Sequence, residues 1–195
     1  GLVPVHSREA CYMVDGRTGY IRLSRFSRTT YDEFAEGIAL LRGRGMQQLV
    51  LDLRFNGGGI LDQAVEMAGT FLPEGSTVLT VRNNRMPRIS ERMEATSSNL
   101  LPKDLPLVVL VNEFSASASE ILAGAIQDWD RGVVIGRRTF GKGLVQRPLP
   151  FQDGSMIRLT IARYYTPSGR SIQKPYAKGN FKAYEQELIG RFKHG

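Results

Sequence analysis

Leu107-Val108-Val109-Leu110-Val111-Asn112-Glu113-Phe114-Ser115-Ala116-Ser117-Ala118-Ser119-Glu120 passes from five apolar residues into a run of small and polar ones. With no polar residue alternating among them, the first five read as a strand covered on both faces. Ser117-Ala118-Ser119-Glu120 has the spacing of a capping box, which predicts a helix from about Ser117 to Asp128, with Gly132 beyond it. Val133-Val134-Ile135 then reads as another short buried strand.

The same alternation runs upstream. Leu49-Val50-Leu51-Asp52-Leu53 is a nearly apolar strand, followed by the turn Asn56-Gly57-Gly58-Gly59 and a helix over about Leu61 to Leu72, stopped by Pro73. Before it, Ala10–Val14 and Tyr20–Phe26 are predicted strands joined at Asp15-Gly16-Arg17. Thr30-Tyr31-Asp32-Glu33 reads as a second capping box, and Tyr31, Phe34, Ile38 and Leu41 follow at helical spacing until Gly43 and Gly45. Thr77–Arg82 is a predicted strand. The polar stretch from there to Pro106, with a hairpin turn at Asn83-Asn84, predicts a projecting arm. Lys142–Leu149 and Met156–Tyr165 read as two strands joined across Pro150-Phe151-Gln152-Asp153-Gly154. Strands and helices in this order predict a layered α/β fold with a largely parallel inner sheet. The absence of a Gly-x-Gly-x-x-Gly turn argues against a dinucleotide fold.

Composition narrows the function classes. With 195 residues, 42% of them hydrophobic, the chain supports one substantial core, so residues 1–195 are expected to form one domain. No apolar run approaches the roughly 20 residues that cross a bilayer, so no stable membrane insertion is expected. Cys11, the single cysteine, excludes an internal disulfide and lies in an apolar run, where core packing accounts for it. The net charge of +7 is scattered: Arg22, Arg25 and Arg28, then Arg82, Arg85, Arg88 and Arg92, then Lys174, Lys178 and Lys182. Without a nucleic-acid motif this reads as solvated basic surface, and no nucleic-acid partner is expected. No His/Asp/Glu/Cys cluster has ligand spacing, so neither a metal nor a cofactor is expected.

Ser115, Ser117 and Ser119 compete as nucleophile. Ser117, at the predicted N-cap, faces free amides and the positive end of the helix, and the Ala118 amide is placed to hold an oxyanion. Taken alone, such a serine is more often an ordinary cap. His6 and His194, the two histidines, lie near the ends and beside no motif, which disfavours a Ser-His-Asp triad. Gly-x-Ser-x-Gly is also missing. The other candidate base is a lysine made neutral by burial. Lys142 is singled out by its flanking Gly141 and Gly143 and by apolar Phe140, Leu144 and Val145. Gln146, four residues on, would share a strand face with Lys142 and could orient its amine. The Gly57–Gly59 turn can offer amides to an anion; Asp52 and Arg54 are expected to hold that turn together rather than act in chemistry.

These segments together resemble the carboxyl-terminal processing proteases, or tail-specific proteases, serine peptidases with a Ser-Lys dyad. The matching stretches are Leu51–Gly59, Ser115-Ala116-Ser117-Ala118-Ser119-Glu120-Ile121 and Thr139-Phe140-Gly141-Lys142-Gly143. The resemblance implies a Clp protease/crotonase-like core in which Ser117 is the nucleophile, Lys142 the general base and Gln146 its helper. It also implies an oxyanion hole from the amides of Gly58 and Ala118, although Gly57 stands where the family usually has proline. Polypeptide substrates cut near their C-termini, a cell-envelope, typically periplasmic, location and a possible homo-oligomer follow from the same likeness. Family members normally carry a PDZ domain before the core, and this chain looks like the core without it. The competing expectation is an idle binding or scaffold domain on the same fold. A phosphate-binding enzyme built on Gly57–Gly59 lacks a lysine-bearing phosphate loop.

Overall fold

The computed structural model describes residues 6–83, 86–175, 186–187 and 189–190. Of the positions singled out above, Asn84, Arg85, Lys178, Lys182 and His194 lie outside the described residues. In chain order the elements are β1 (Arg8–Met13), β2 (Thr18–Leu23), α1 (Thr30–Gly43), β3 (Gln48–Asp52), α2 (Leu61–Phe71), β4 (Thr77–Arg82), a short 3₁₀ turn (Pro87–Ile89), β5 (Glu91–Glu94), β6 (Leu107–Val111), α3 (Ala118–Asp128), β7 (Val133–Gly136), β8 (Leu144–Pro150) and β9 (Met156–Tyr165).

They build two sheets. The first has the order β1-β2-β3-β6-β7. Its β1–β2 pair is antiparallel, and every other pairing is parallel. The second, β5-β4-β9-β8, is antiparallel throughout. The mixed α/β architecture with a largely parallel sheet and added strands is the one its sequence pattern predicts. The helices bury their apolar stripes against it, and Phe34 of α1 meets Phe71 of α2 edge to face at 5.9 Å between centroids.

Several local expectations are corrected. In β6 Leu107, Val109 and Val111 are buried while Val108 and Leu110 are only half-buried, so this strand is fully covered on one face. β7 is a sheet edge, and Val133 and Ile135 are exposed instead of buried. Thr30 does not cap α1. The N-cap is Thr29, and Thr30 Oγ1 accepts from the Ser27 amide. Glu33 Oε1 accepts from the Thr29 hydroxyl at 2.7 Å, while its Oε2 accepts the amides of Ser7 and Arg8 at 2.8 and 2.9 Å, fastening β1 to α1. Nor is the stretch before Pro106 simply an arm: β5 pairs with β4, and Ala95, Leu101 and Leu105 enter the core. Lys103, reading as polar loop, donates to the carbonyls of Gly69, Thr70 and Ser98. Burial lowers the pKa of its amine. Cys11 packs half-buried against the core, as expected.

Candidate active site

The crossing from β6 to α3 is fixed by its own small polar residues. Asn112 Oδ1 accepts the amide of Phe55 at 2.9 Å. Ser115 Oγ accepts the Asn112 amide at 3.0 Å and donates to the Leu53 carbonyl at 2.7 Å. Ser119 Oγ donates to the Asn56 carbonyl at 3.0 Å. Both serines are fully buried and tie the β6–α3 crossing to the β3–α2 crossing. Ser117, half-buried between them, faces a cleft. Its backbone sits at φ 56°, ψ −116°, a region that non-glycine residues rarely occupy. A serine presented on a sharp strand-to-helix turn is thus achieved without the Gly-x-Ser-x-Gly pattern.

Glu120 shapes the site more than its place in a capping box suggests. Its Oε2 accepts the Ser117 amide at 2.9 Å and the Lys142 amide at 2.8 Å, while Oε1 accepts the Gly141 amide at 2.6 Å. One buried carboxylate therefore joins the turn carrying Ser117 to the loop carrying Lys142. That loop is held on its other side by Ile172–Lys174. The Lys174 amide donates to the Gly141 carbonyl at 3.0 Å, and the Gly143 amide donates to Gln173 Oε1 at 3.0 Å. A Cβ on Gly143 would stand 2.4 Å from the Gln173 nitrogen, so this approach requires glycine.

The structure differs from the expected lysine geometry. Lys142 precedes β8, so strand alternation does not relate it to Gln146. Its side chain is exposed, and it makes no hydrogen bond to Ser117 or Gln146 among the described residues. The lysine buried here is Lys174, 4% exposed, which pairs with Glu187 at 3.3 Å and lies 5.2 Å from the centre of the Phe140 ring. Nothing in its sequence context, next to a proline near the end, marks it. Gln146, also exposed, does join Ser117 in a cleft of about 410 Å³, together with Leu144, Pro148, Met156, Arg158 and Tyr164. His6 is not among the residues lining this cleft and stands 3.8 Å from Glu33 of α1.

The glycine turn abuts the serine. Gly58 has φ 90°, and a Cβ there would lie 2.5 Å from the Ala116 carbonyl oxygen and 2.8 Å from the Ser117 Cβ. The Gly58 amide, expected to face an oxyanion, instead donates to Asn56 Oδ1 at 2.9 Å. The amides of Gly57, Gly59 and Ala118 have no partner among the described residues. Below the turn, fully buried Asp52 accepts from Tyr20 Oη at 2.6 Å and from Arg54 through both Nε and Nη2. Burial works against the Asp52 charge, but the bonds from Arg54 and Tyr20 outweigh it and hold the carboxyl below its ordinary value. The same burial, with Asp52 alongside, pushes the Tyr20 phenol up to about 12. This pair is a brace, built as its spacing suggests.

Among the described residues no group of three His, Cys, Asp or Glu could hold a metal ion, and no helix is long and apolar enough to cross a membrane.

Comparison with known proteins adds identity to this geometry. The sequence pattern of Peptidase family S41 matches residues 17–182. A carboxyl-terminal-processing protease of Synechocystis sp. is 44% identical over 156 residues, covering 80% of this chain and 35% of the relative. A carboxy-terminal-processing protease of Bartonella bacilliformis is 42% identical over 166 residues, covering 83% and 38%. This chain thus spans little more than a third of the length of these relatives. Among solved structures, the photosystem II D1 C-terminal processing protease superposes with a TM-score of 0.73 at 39% identity, over 80% of this chain and 39% of that one.

Proposed function

Because this chain belongs to peptidase family S41, we propose that it is the catalytic core of a serine endopeptidase cutting polypeptides near their C-termini through an acyl-enzyme. One observation carries the reading: of the three clustered serines, Ser115 and Ser119 spend their hydroxyls on buried backbone carbonyls, whereas Ser117 stands on a strained turn beside the open amide of Ala118. Ser117 Oγ attacks the scissile carbonyl, and Lys142 accepts its proton. The amide of Ala118 and an amide of the Gly57–Gly59 turn hold the oxyanion; Gly58 serves there only by releasing Asn56 Oδ1. Lys142 returns the proton to the leaving amine, and water then hydrolyses the ester. Gln146, which lines the cleft with Ser117, assists Lys142 in this reading.

Residues 1–195 act in this reading as one peptidase core, with a PDZ domain elsewhere in the whole protein to engage substrate tails. Family likeness supports a cell-envelope, periplasmic setting and leaves room for a homo-oligomer. Ser117→Ala in the full-length protein should lower peptide cleavage by about 10³-fold or more. Unchanged cleavage would remove Ser117 from the chemistry. An idle scaffold is the competing reading, favoured by the missing Ser117–Lys142 hydrogen bond. Covalent labelling of Ser117 by a fluorophosphonate probe in the full-length protein excludes it, and failure to label supports it.

A further inference from the structure

We propose that Arg158 is a specificity-determining residue that receives a carboxylate of the substrate a few residues away from the bond cut at Ser117. The inference rests on the peptidase reading and goes further, to substrate chemistry. The cleft beside Ser117 is walled by Leu144, Pro148, Met156 and Tyr164, and Arg158 is the charged side chain lining it. Arg158 is exposed, and its guanidinium has neither ion-pair nor hydrogen-bond partner among the described residues. Arg54, Arg137 and Arg170 are engaged with Asp52, Glu113 and Asp128, and what sets Arg158 apart from other exposed arginines such as Arg147 and Arg163 is that it lines the cleft with Ser117. A guanidinium left open in a cleft of mixed polar and apolar lining favours an anion with planar, two-oxygen geometry.

Register gives the spacing. The Tyr164 amide donates to the Gly143 carbonyl next to Leu144, while Arg158 sits opposite Pro148 farther along β8. The four residue steps from Leu144 to Pro148 correspond to about 13 Å of strand, so an extended peptide spans the distance in about four steps. Among the described residues β8 is an edge of its sheet, the position from which an added strand would pair. Pro148 and Pro150 nevertheless have no amide hydrogen to donate, which confines donation from that edge to the part near Ser117. Beyond that part, side-chain charge is left to read the peptide.

The carboxylate could belong to an Asp or Glu side chain or to the substrate's own C-terminus. Both sources are separated by one peptide series cleaved by the full-length protein. It pairs Glu with Gln at each position on either side of the scissile bond, and a free-acid with an amidated terminus. The wild type should favour the carboxylate member about three- to five-fold in kcat/KM, through KM, at a position about three to four residues from the cut. Preference confined to the free-acid terminus identifies the chain end; preference for internal Glu identifies a side chain. Arg158→Gln should erase the ratio, and Arg158→Glu should transfer it to Lys-bearing peptides. Ratios unchanged in both variants overturn the assignment, and so does a wild type without any preference. Ser117→Ala, run alongside, separates the two failures: if it abolishes cleavage while the Arg158 variants keep the wild-type ratios, only the specificity inference falls.

Discussion

Replacing Glu120 by glutamine tests whether one carboxylate aligns the two halves of the site. In the folded chain Glu120 is 6% exposed and accepts three backbone amides, from Ser117, Gly141 and Lys142, at 2.6–2.9 Å. Glutamine keeps the shape and one acceptor oxygen but turns the other into a donor. If its oxygen stays on the Ser117 and Lys142 amides, its NH₂ meets the Gly141 amide head on. One charge-assisted bond is lost and two become neutral, a cost of about 3 kcal/mol. For a chain of this size that lowers Tm by about 6–12 °C. The loop bearing Lys142 then swings relative to Ser117, and displacement on the order of 1 Å at a reacting group lowers kcat about 10²-fold.

The assay combines thermal unfolding of the full-length variant with its kcat and KM on a reporter peptide and its fluorophosphonate labelling rate, all below the new Tm. Expected together are a lower Tm, a lower kcat, slower labelling and a KM near that of the wild type. A variant that loses the stated stability yet keeps kcat and labelling within about three-fold, roughly 0.7 kcal/mol, refutes the positioning argument. Glu120 would then be a structural clamp and nothing more. If Tm is also unchanged, the three hydrogen bonds themselves are wrong.

Strain at Ser117 has its own signature. Ser117→Gly relieves the φ of 56° and should unfold at higher denaturant than Ser117→Ala, by about 1 kcal/mol, with both variants inactive; alanine equal to glycine would mean no strain. Asp128 supplies the pH dependence: burial opposes its charge, but hydrogen bonds from Ser168, Thr166 and Arg170 hold its carboxyl down to about 2, from 3.8. A depressed carboxylate stabilises the fold above the unfolded value and loses that contribution as pH falls through the folded one. Wild type should therefore exceed Asp128→Asn by about 2 kcal/mol at neutral pH, and the gap should close between pH 4 and 2, as read by denaturant titrations across that range. A gap that is constant with pH would remove Asp128 as the source.

What the sequence made legible, and what it did not, divides by distance along the chain. The strand, serine turn and helix over residues 107–128 depend on propensity, capping and periodicity within a few residues, and the structure follows them nearly to the boundary. The Asp52–Arg54 brace is likewise local, two residues apart. Burial is not local. Lys142 looks enclosed because its neighbours are apolar, but Phe140 turns to Lys174 and the Gly141 and Gly143 backbones close against Ile172–Lys174, leaving the Lys142 side chain outside. Glu120 was visible as a cap, since a capping box needs only three residues of spacing. Its second task, accepting amides 21 and 22 residues farther on, required the fold. The two tasks have a common physical cause. An acidic residue at a helix start is stabilised by unpaired amides wherever they come from, so a loop that brings two more of them can use the same charge. In this chain the cap of the Ser117 helix also makes the position of the Lys142 loop depend on that helix.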